Sequence, residues 1–386
     1  MSKVMLVSAL IVAGAVSHAA AAEPQTGTRE FKTGGGAKLT LDLESGADVK
    51  ISGTGGSSVI VSYSLSCTPR CEIEFEQTGS DVKVATRFEH RGSSQNSSNE
   101  LEIRVPSRFD IALDSMGGGL EIDGVTGTFT GQTMGGGLTL RDVEGDAKLK
   151  TMGGAIRVTD STIDGSVHTM GGAVTIENVE GDLRGSSMGG DVRYKNVRRK
   201  DGNLASPNRA DDPALSSITP ETVQISTMGG AIRTEDAPEG ADVMTMGGDI
   251  EIKNARRFVR AKTMGGDIEI EVDGWVQATT MGGNVDVSVT GAGGDVTLTS
   301  MSGNIVLHVP KGFGMKLDLE IAFTKNSRQG YRITAPGGAS ATVSPDWDYE
   351  HGSPRKYIRK ADTVNGGGHT VTVRTINGDL TVSENN

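Results

Sequence analysis

One tetrapeptide, Ser/Thr-Met-Gly-Gly, recurs along this 386-residue chain, and its spacing limits the possible folds more than any other feature. Its methionines are Met116, Met134, Met152, Met170, Met188, Met228, Met246, Met264 and Met281. A tenth copy, Ser300-Met301-Ser302-Gly303, differs by one residue. Successive steps are 18, 18, 18, 18, 40, 18, 18, 17 and 20 residues, and the step of 40 is one period plus a 22-residue insertion. The residue four after each Met is aliphatic in all ten copies, from Leu120 and Leu138 to Val285 and Ile305. Six after Met the side chain is again mostly apolar, as in Ile122, Leu140, Val158 and Ile176, and the residue between is usually charged or Thr. That alternation describes a strand with one buried face.

Short strands with one apolar face cannot bury it alone, but strands repeated at a fixed period can stack. The pattern therefore predicts an all-β, right-handed parallel β-solenoid of about ten 18-residue rungs with irregular β caps, the hand following the crossover preference of parallel strands. A left-handed coil of hexapeptides requires small or aliphatic residues at Met+10 and Met+16, where this sequence has Thr126, Glu144, Gln132 and Lys150. Rungs about 4.8 Å apart would carry Met116 and Met301 about 43 Å from each other over nine steps. The Met column is expected to be a structural corner filling the core where the chain bends; a soft-metal or haem stripe is the rival reading. The Gly pair supplies the bend, and the preceding Ser/Thr column is expected to hydrogen-bond from rung to rung.

The array is expected over 106–310. Residues 23–105 read as an N-terminal β region or cap, and 311–386 as its C-terminal counterpart. Val105-Pro106-Ser107-Arg108-Phe109 and Val309-Pro310-Lys311-Gly312-Phe313 bracket the array like matching entry and exit turns. Near the end, Thr375-Ile376-Asn377-Gly378-Asp379-Leu380 echoes the repeat and suggests a degenerate final rung. The insertion, 198–220, is polar with three Pro, a composition of disordered or functional loops.

Residues 1–22 have the form of a secretory signal. Lys3 precedes an apolar run, and Ala20-Ala21-Ala22 offers a cleavage site near Ala22. The mature chain is then expected to be extracytoplasmic (periplasmic, secreted or at the cell surface), with no transmembrane segment, lipid anchor or C-terminal barrel. In an oxidising compartment the only two cysteines, Cys67 and Cys71, are expected to pair across a Pro-containing turn. The net charge of −11 disfavours nucleic acid as a partner.

Chemistry is sparse. Asp249, Asp267 and Asn284 fall in one outward column and Glu251, Glu269 and Asp286 in the next, where stacked oxygens are candidate calcium ligands or paired carboxylates for sugar chemistry. The favoured reading is a solvated, charge-mixed face, since Arg157, Arg193 and Arg233 occupy the second column on other rungs. The histidines are scattered, and Gly-Gly is not followed by the Gly-Lys-Ser/Thr of a phosphate loop. No catalytic residue or cofactor is indicated. Trp275, Trp347 and Tyr349 are candidates for stacking on sugar rings, with ring burial in a cap the favoured reading.

The Gly-rich β repeats, the Val-Pro-x-x-Phe entry and the closing Thr-Ile-Asn-Gly-Asp-Leu resemble an exported bacterial β-strand-repeat family with an adhesin-like domain of unknown function. The resemblance covers about 100–310 well and implies an adhesion-like or structural role without supplying catalytic residues. The expected function is thus a non-enzymatic scaffold at the cell envelope, binding polysaccharide or protein. The alternative is a carbohydrate-active β-helix enzyme, a lyase or hydrolase using the outward carboxylates. A third reading, a filament stacking end to end, is opposed by the irregular flanks.

Overall fold

Each half-apolar segment forms a strand lying in register on its copy one period away. The structure, a computed structural model, describes residues 24–66, 71–88, 99–198, 223–327, 330–350 and 352–385. The signal segment 1–22, Cys67 and nearly all of the 198–220 insertion lie outside the described residues. Among the described residues all regular structure is β, with no helix.

Every rung has two strands. The one following Gly-Gly builds a first parallel ladder, in which Leu120, Leu138, Ile156, Val174, Val192, Ile232, Ile250, Ile268, Val285 and Ile305 are successive partners. The one leading into the next Ser/Thr-Met builds a second, as in Phe129 on Ile111 and Ala147 on Phe129. Long strands such as Ile156–Thr169, Ile250–Lys262 and Ile268–Thr280 run through both ladders. The inward faces meet in one continuous apolar core of Val, Ile and Leu. The result is a solenoid-like all-β stack.

The methionines are a correction. Met116, Met134, Met152, Met170, Met188, Met228, Met246, Met264, Met281 and Met301 do lie at corners stacked over one another, yet they are not core: they are 39–59% exposed. Adjacent residues in an extended chain point to opposite sides. The inward place is taken by the preceding Ser115, Thr133, Thr151, Thr169, Ser187, Thr227, Thr245, Thr263, Thr280 and Ser300, all at most 4% exposed. Their hydroxyls satisfy backbone groups at the corner that a thioether would leave unpaired.

The ends depart from simple succession. Strands Ala37–Leu43 and Asp48–Thr54 form a rung lying between Asp81–Phe88/Glu100–Pro106 on one side and Phe109–Ser115/Leu120–Asp123 on the other. At the far end His369–Ile376 and Leu380–Glu384 lie between Val296–Ser300/Ile305–Val309 and Met315–Thr324/Ile333–Thr334. Each Val-Pro-x-x-Phe therefore steps over one rung, with Phe109 and Phe313 buried at the landing. The Thr375–Leu380 echo does stack on the Ser300 rung, but a further layer covers it. Beyond these layers the pairing turns antiparallel. Ser58–Leu65 and Cys71–Thr78 cover one end, and Arg355–Val364 covers the other.

Candidate functional site: a methionine edge beside an acidic groove

The corner at Thr245 shows how the edge is made. Thr245 Oγ1 donates to the Gly230 carbonyl of the rung below (3.0 Å) and accepts from the Gly248 amide of its own rung (3.2 Å). The same donation, side chain to Gly carbonyl, recurs at Thr133, Thr151, Thr169, Ser187, Thr263, Thr280 and Ser300, at 2.8–3.0 Å. With the hydroxyl fixed inside, the next side chain must leave the stack, and the glycines after it cast no cover. Met246 N donates to the Met228 carbonyl and Met228 N to the Met188 carbonyl, both at 3.2 Å. Met188 and Met228 are thus neighbours despite the 40-residue step. Pairing of Leu43 with Ser115 and of Ser300 with Thr375 puts Glu44 at one end of the Met column and Ile376 at the other. Met244, two residues before Met246 and 49% exposed, adds an eleventh methionine beside the column.

Beyond the Gly pair runs the acidic column. Asp249 Oδ1 accepts from the Asp267 amide (2.9 Å), Asp267 Oδ1 from the Asn284 amide (2.6 Å), and Asn284 Oδ1 from the Asn304 amide (3.0 Å). These side chains are ties between rungs. Glu251, Glu269 and Asp286 are in register in the next column, as expected. Glu251 binds Lys253 (2.6 Å) and Arg233 (3.3 Å), and the Lys253 ammonium beside it holds its carboxyl below the ordinary 4.5. Together they line a shallow groove of about 320 Å³. Among the described residues no three His, Cys, Asp or Glu side chains are grouped to hold a metal ion.

The aromatic candidates separate. Trp275 is half-buried, its ring stacked on the buried Phe258 at 4.9 Å and 15°. It opens on a groove of about 1140 Å³ lined also by Arg257, Gln277, Asp295 and His369, where Gly293 and Gly294 bring no side chain. Trp347 instead packs edge-on to Phe323, and Tyr349 is exposed in the C-terminal cap. Cys71 is buried and disulfide-bonded. His168 and His308 each bond a serine of the adjoining rung.

The turn after each first strand, which the sequence marks with Gly, Asp or Asn as in Asp142-Val143-Glu144-Gly145, is a second corner. Asp142, Asp160, Asn178, Asn196 and Asn254, eight residues after their Met, all have φ between 50° and 54°. Asp and Asn tolerate this left-handed conformation better than other non-glycine residues, and Asn178 and Asn196 also link rungs at 2.9 and 3.0 Å. The signal is an Asp or Asn eight residues after Met in six copies, of which all but Asp236 take this conformation.

A family model, Toastrack DUF4097, matches residues 37–338, which is most of the chain. The chain belongs to the Toastrack family. The Toastrack match begins at Ala37, where the first strand of the parallel ladders begins. No curated protein shows significant similarity to this sequence. Among solved structures, the chain is similar to a "putative cell adhesion protein" from Clostridium sporogenes at 12% identity, covering 94% of this chain and 100% of that one with a TM-score of 0.19. It is also similar to a "putative adhesin" from Parabacteroides distasonis at 12% identity, covering 68% and 97% with a TM-score of 0.36. A third, a "putative adhesin" from Bacteroides fragilis, is 10% identical over 94% and 97%, with a TM-score of 0.26. At these values the three likenesses carry no statement about what the Toastrack chain binds. Among its described residues no helix is long and apolar enough to cross a membrane.

Proposed function

We propose that this Toastrack protein is a non-enzymatic, exported scaffold of the cell envelope that binds an extended polymer, an envelope polysaccharide in the first instance. In this reading the signal segment is removed near Ala22, Cys67 pairs with Cys71, and the coil is right-handed with about ten 18-residue rungs. One observation carries the proposal: identical exposed side chains recur at constant spacing along a whole edge. A repeating surface suits a repeating ligand, because weak contacts held in one rigid frame add through effective concentration. Trp275, with open space beyond its ring and Arg257, Gln277 and Asp295 around it, supplies a stacking platform of the kind sugar rings use.

The enzyme reading has less support. Asp249 and Asp267 are committed to backbone amides and Glu251 to two cations, an arrangement for holding rungs together. The test is an array of envelope polysaccharides and proteins probed with the mature chain. Bound polysaccharide should change Trp275 fluorescence, and Trp275→Ala should weaken binding at least about tenfold, the loss of one stacked ring at ~1.4 kcal/mol or more. Turnover of an acidic polysaccharide, with or without calcium, that disappears in Asp267→Asn/Glu269→Gln would overturn the proposal.

A further inference from the structure

We propose that the methionine edge is a binding site for copper(I), each ion held between the thioethers of consecutive rungs. Three independent observations lead there. The first is placement: the sulfurs are at the surface, so filling an irregular core, the usual structural use of Met, is not what these side chains do. The second is uniformity. The inward columns mix freely, with Leu, Ile and Val four residues after Met, and with Tyr194 and Thr234 joining them six after. The Met column does not vary in ten copies. A need for apolar surface alone would be met by Leu or Ile as the other columns meet theirs. What Met adds is a soft, uncharged sulfur donor, and thioethers select copper(I) over harder ions.

The third is spacing. Two collinear metal–sulfur bonds, each taken at about the 2.3 Å of a zinc–thiolate bond, span about 4.6 Å, close to the rung separation of about 4.8 Å. A two-coordinate ion therefore fits between neighbouring sulfurs without the backbone moving. Continuity agrees: Met228 N bonds the Met188 carbonyl at 3.2 Å, so the long insertion leaves the column unbroken. Ten sulfurs taken in pairs hold five ions. Met244, two residues before Met246 and likewise outward, brings a further sulfur to that corner. The neighbouring acidic column does not compete, because hard carboxylate oxygens suit copper(I) poorly and Asp249 Oδ1 and Asp267 Oδ1 each already accept an amide. None of this depends on polymer binding.

The test is anaerobic titration of the mature full chain with copper(I) against a chromophoric chelator. The comparison is with a variant carrying Met134, Met170, Met228, Met244, Met264 and Met301→Leu. The leucines keep the apolar edge and leave no two neighbouring sulfurs. The wild type should take up about five ions, with sulfur-only ligation near 2.3 Å by X-ray absorption, and the variant should lose at least about tenfold in apparent affinity. Circular dichroism should show both folded. Should the variant not fold, the wild type with its exposed methionines oxidised to sulfoxides serves instead and should release the metal. A wild type that takes no copper(I) from the chelator overturns the proposal, as does a folded leucine variant that binds equally well.

Discussion

The two glycines of one repeat are not equivalent. A Cβ on Gly248 would run into the backbone of Gly230 on the rung below, whereas the nearest atom to a Cβ on Gly247 is 3.6 Å away. Gly248→Ala should therefore lower unfolding stability by more than about 2 kcal/mol in urea titration, and Gly247→Ala by less than about 1. Equal effects would contradict the corner described above. The same residues show what the sequence does and does not disclose. Gly-Gly after an apolar residue signals a bend, but which Gly meets backbone depends on how closely the next rung approaches. Thr-Met likewise leaves open which side chain turns inward. Hydropathy favours Met; the hydrogen-bonding need of the Gly230 carbonyl and the Gly248 amide favours Thr and prevails.

Outward side chains pair by charge, between neighbouring rungs and, for Lys253 and Glu251, along one strand. Arg141 grips Asp123 through two hydrogen bonds (2.7 and 3.2 Å), Arg87 binds Asp42, and Lys253 and Arg233 flank Glu251. Hydrogen bonds from Arg87 and Arg141 hold the Asp42 and Asp123 carboxyls below the ordinary 3.8, as Lys253 does for Glu251. A carboxyl depressed in the folded state contributes stability above its unfolded pKa and loses it as pH falls through the folded value. Melting temperature should thus hold down to about pH 5 and decline as pH falls below the ordinary carboxyl values of 4.5 and 3.8, less steeply in 1 M salt, because these pairs are solvent-screened. A flat or rising profile would show the pairs to be inert. The parallel strands were legible because alternation and period coincide on each rung. The acidic columns were legible as columns only: that Asp249 and Asp267 tie rungs follows from their reach to the next amide, which spacing does not reveal.

At the scale of the molecule, both ends of the ladders are built from rungs inserted out of sequence order. Residues 369–384 fill a gap between Val296–Val309 and Met315–Thr334. Deleting 369–386 should therefore leave two unpaired strand edges and open the apolar core between them, yielding an aggregating, ANS-binding product, not a shorter soluble stack; a soluble, cooperatively folding truncation would contradict this topology. The antiparallel layers act as stops, and Cys71–Thr78 turns Glu74 and Glu76 toward its surroundings, a charged edge that resists pairing with another chain. The repeat was enough to foresee the stack. The step over a rung at each Val-Pro-x-x-Phe was not foreseeable, because it depends on partners more than fifty residues away. Along the entire edge the rungs keep Ser or Thr inside and Met outside. Mild peroxide oxidation of the folded protein, followed by peptide mass spectrometry, tests it with an internal control, since Met315 is fully buried. The ten repeat methionines and Met244 should become sulfoxides while Met315 stays protected until the protein unfolds; repeat methionines as slow to oxidise as Met315 would contradict the structure's outward edge.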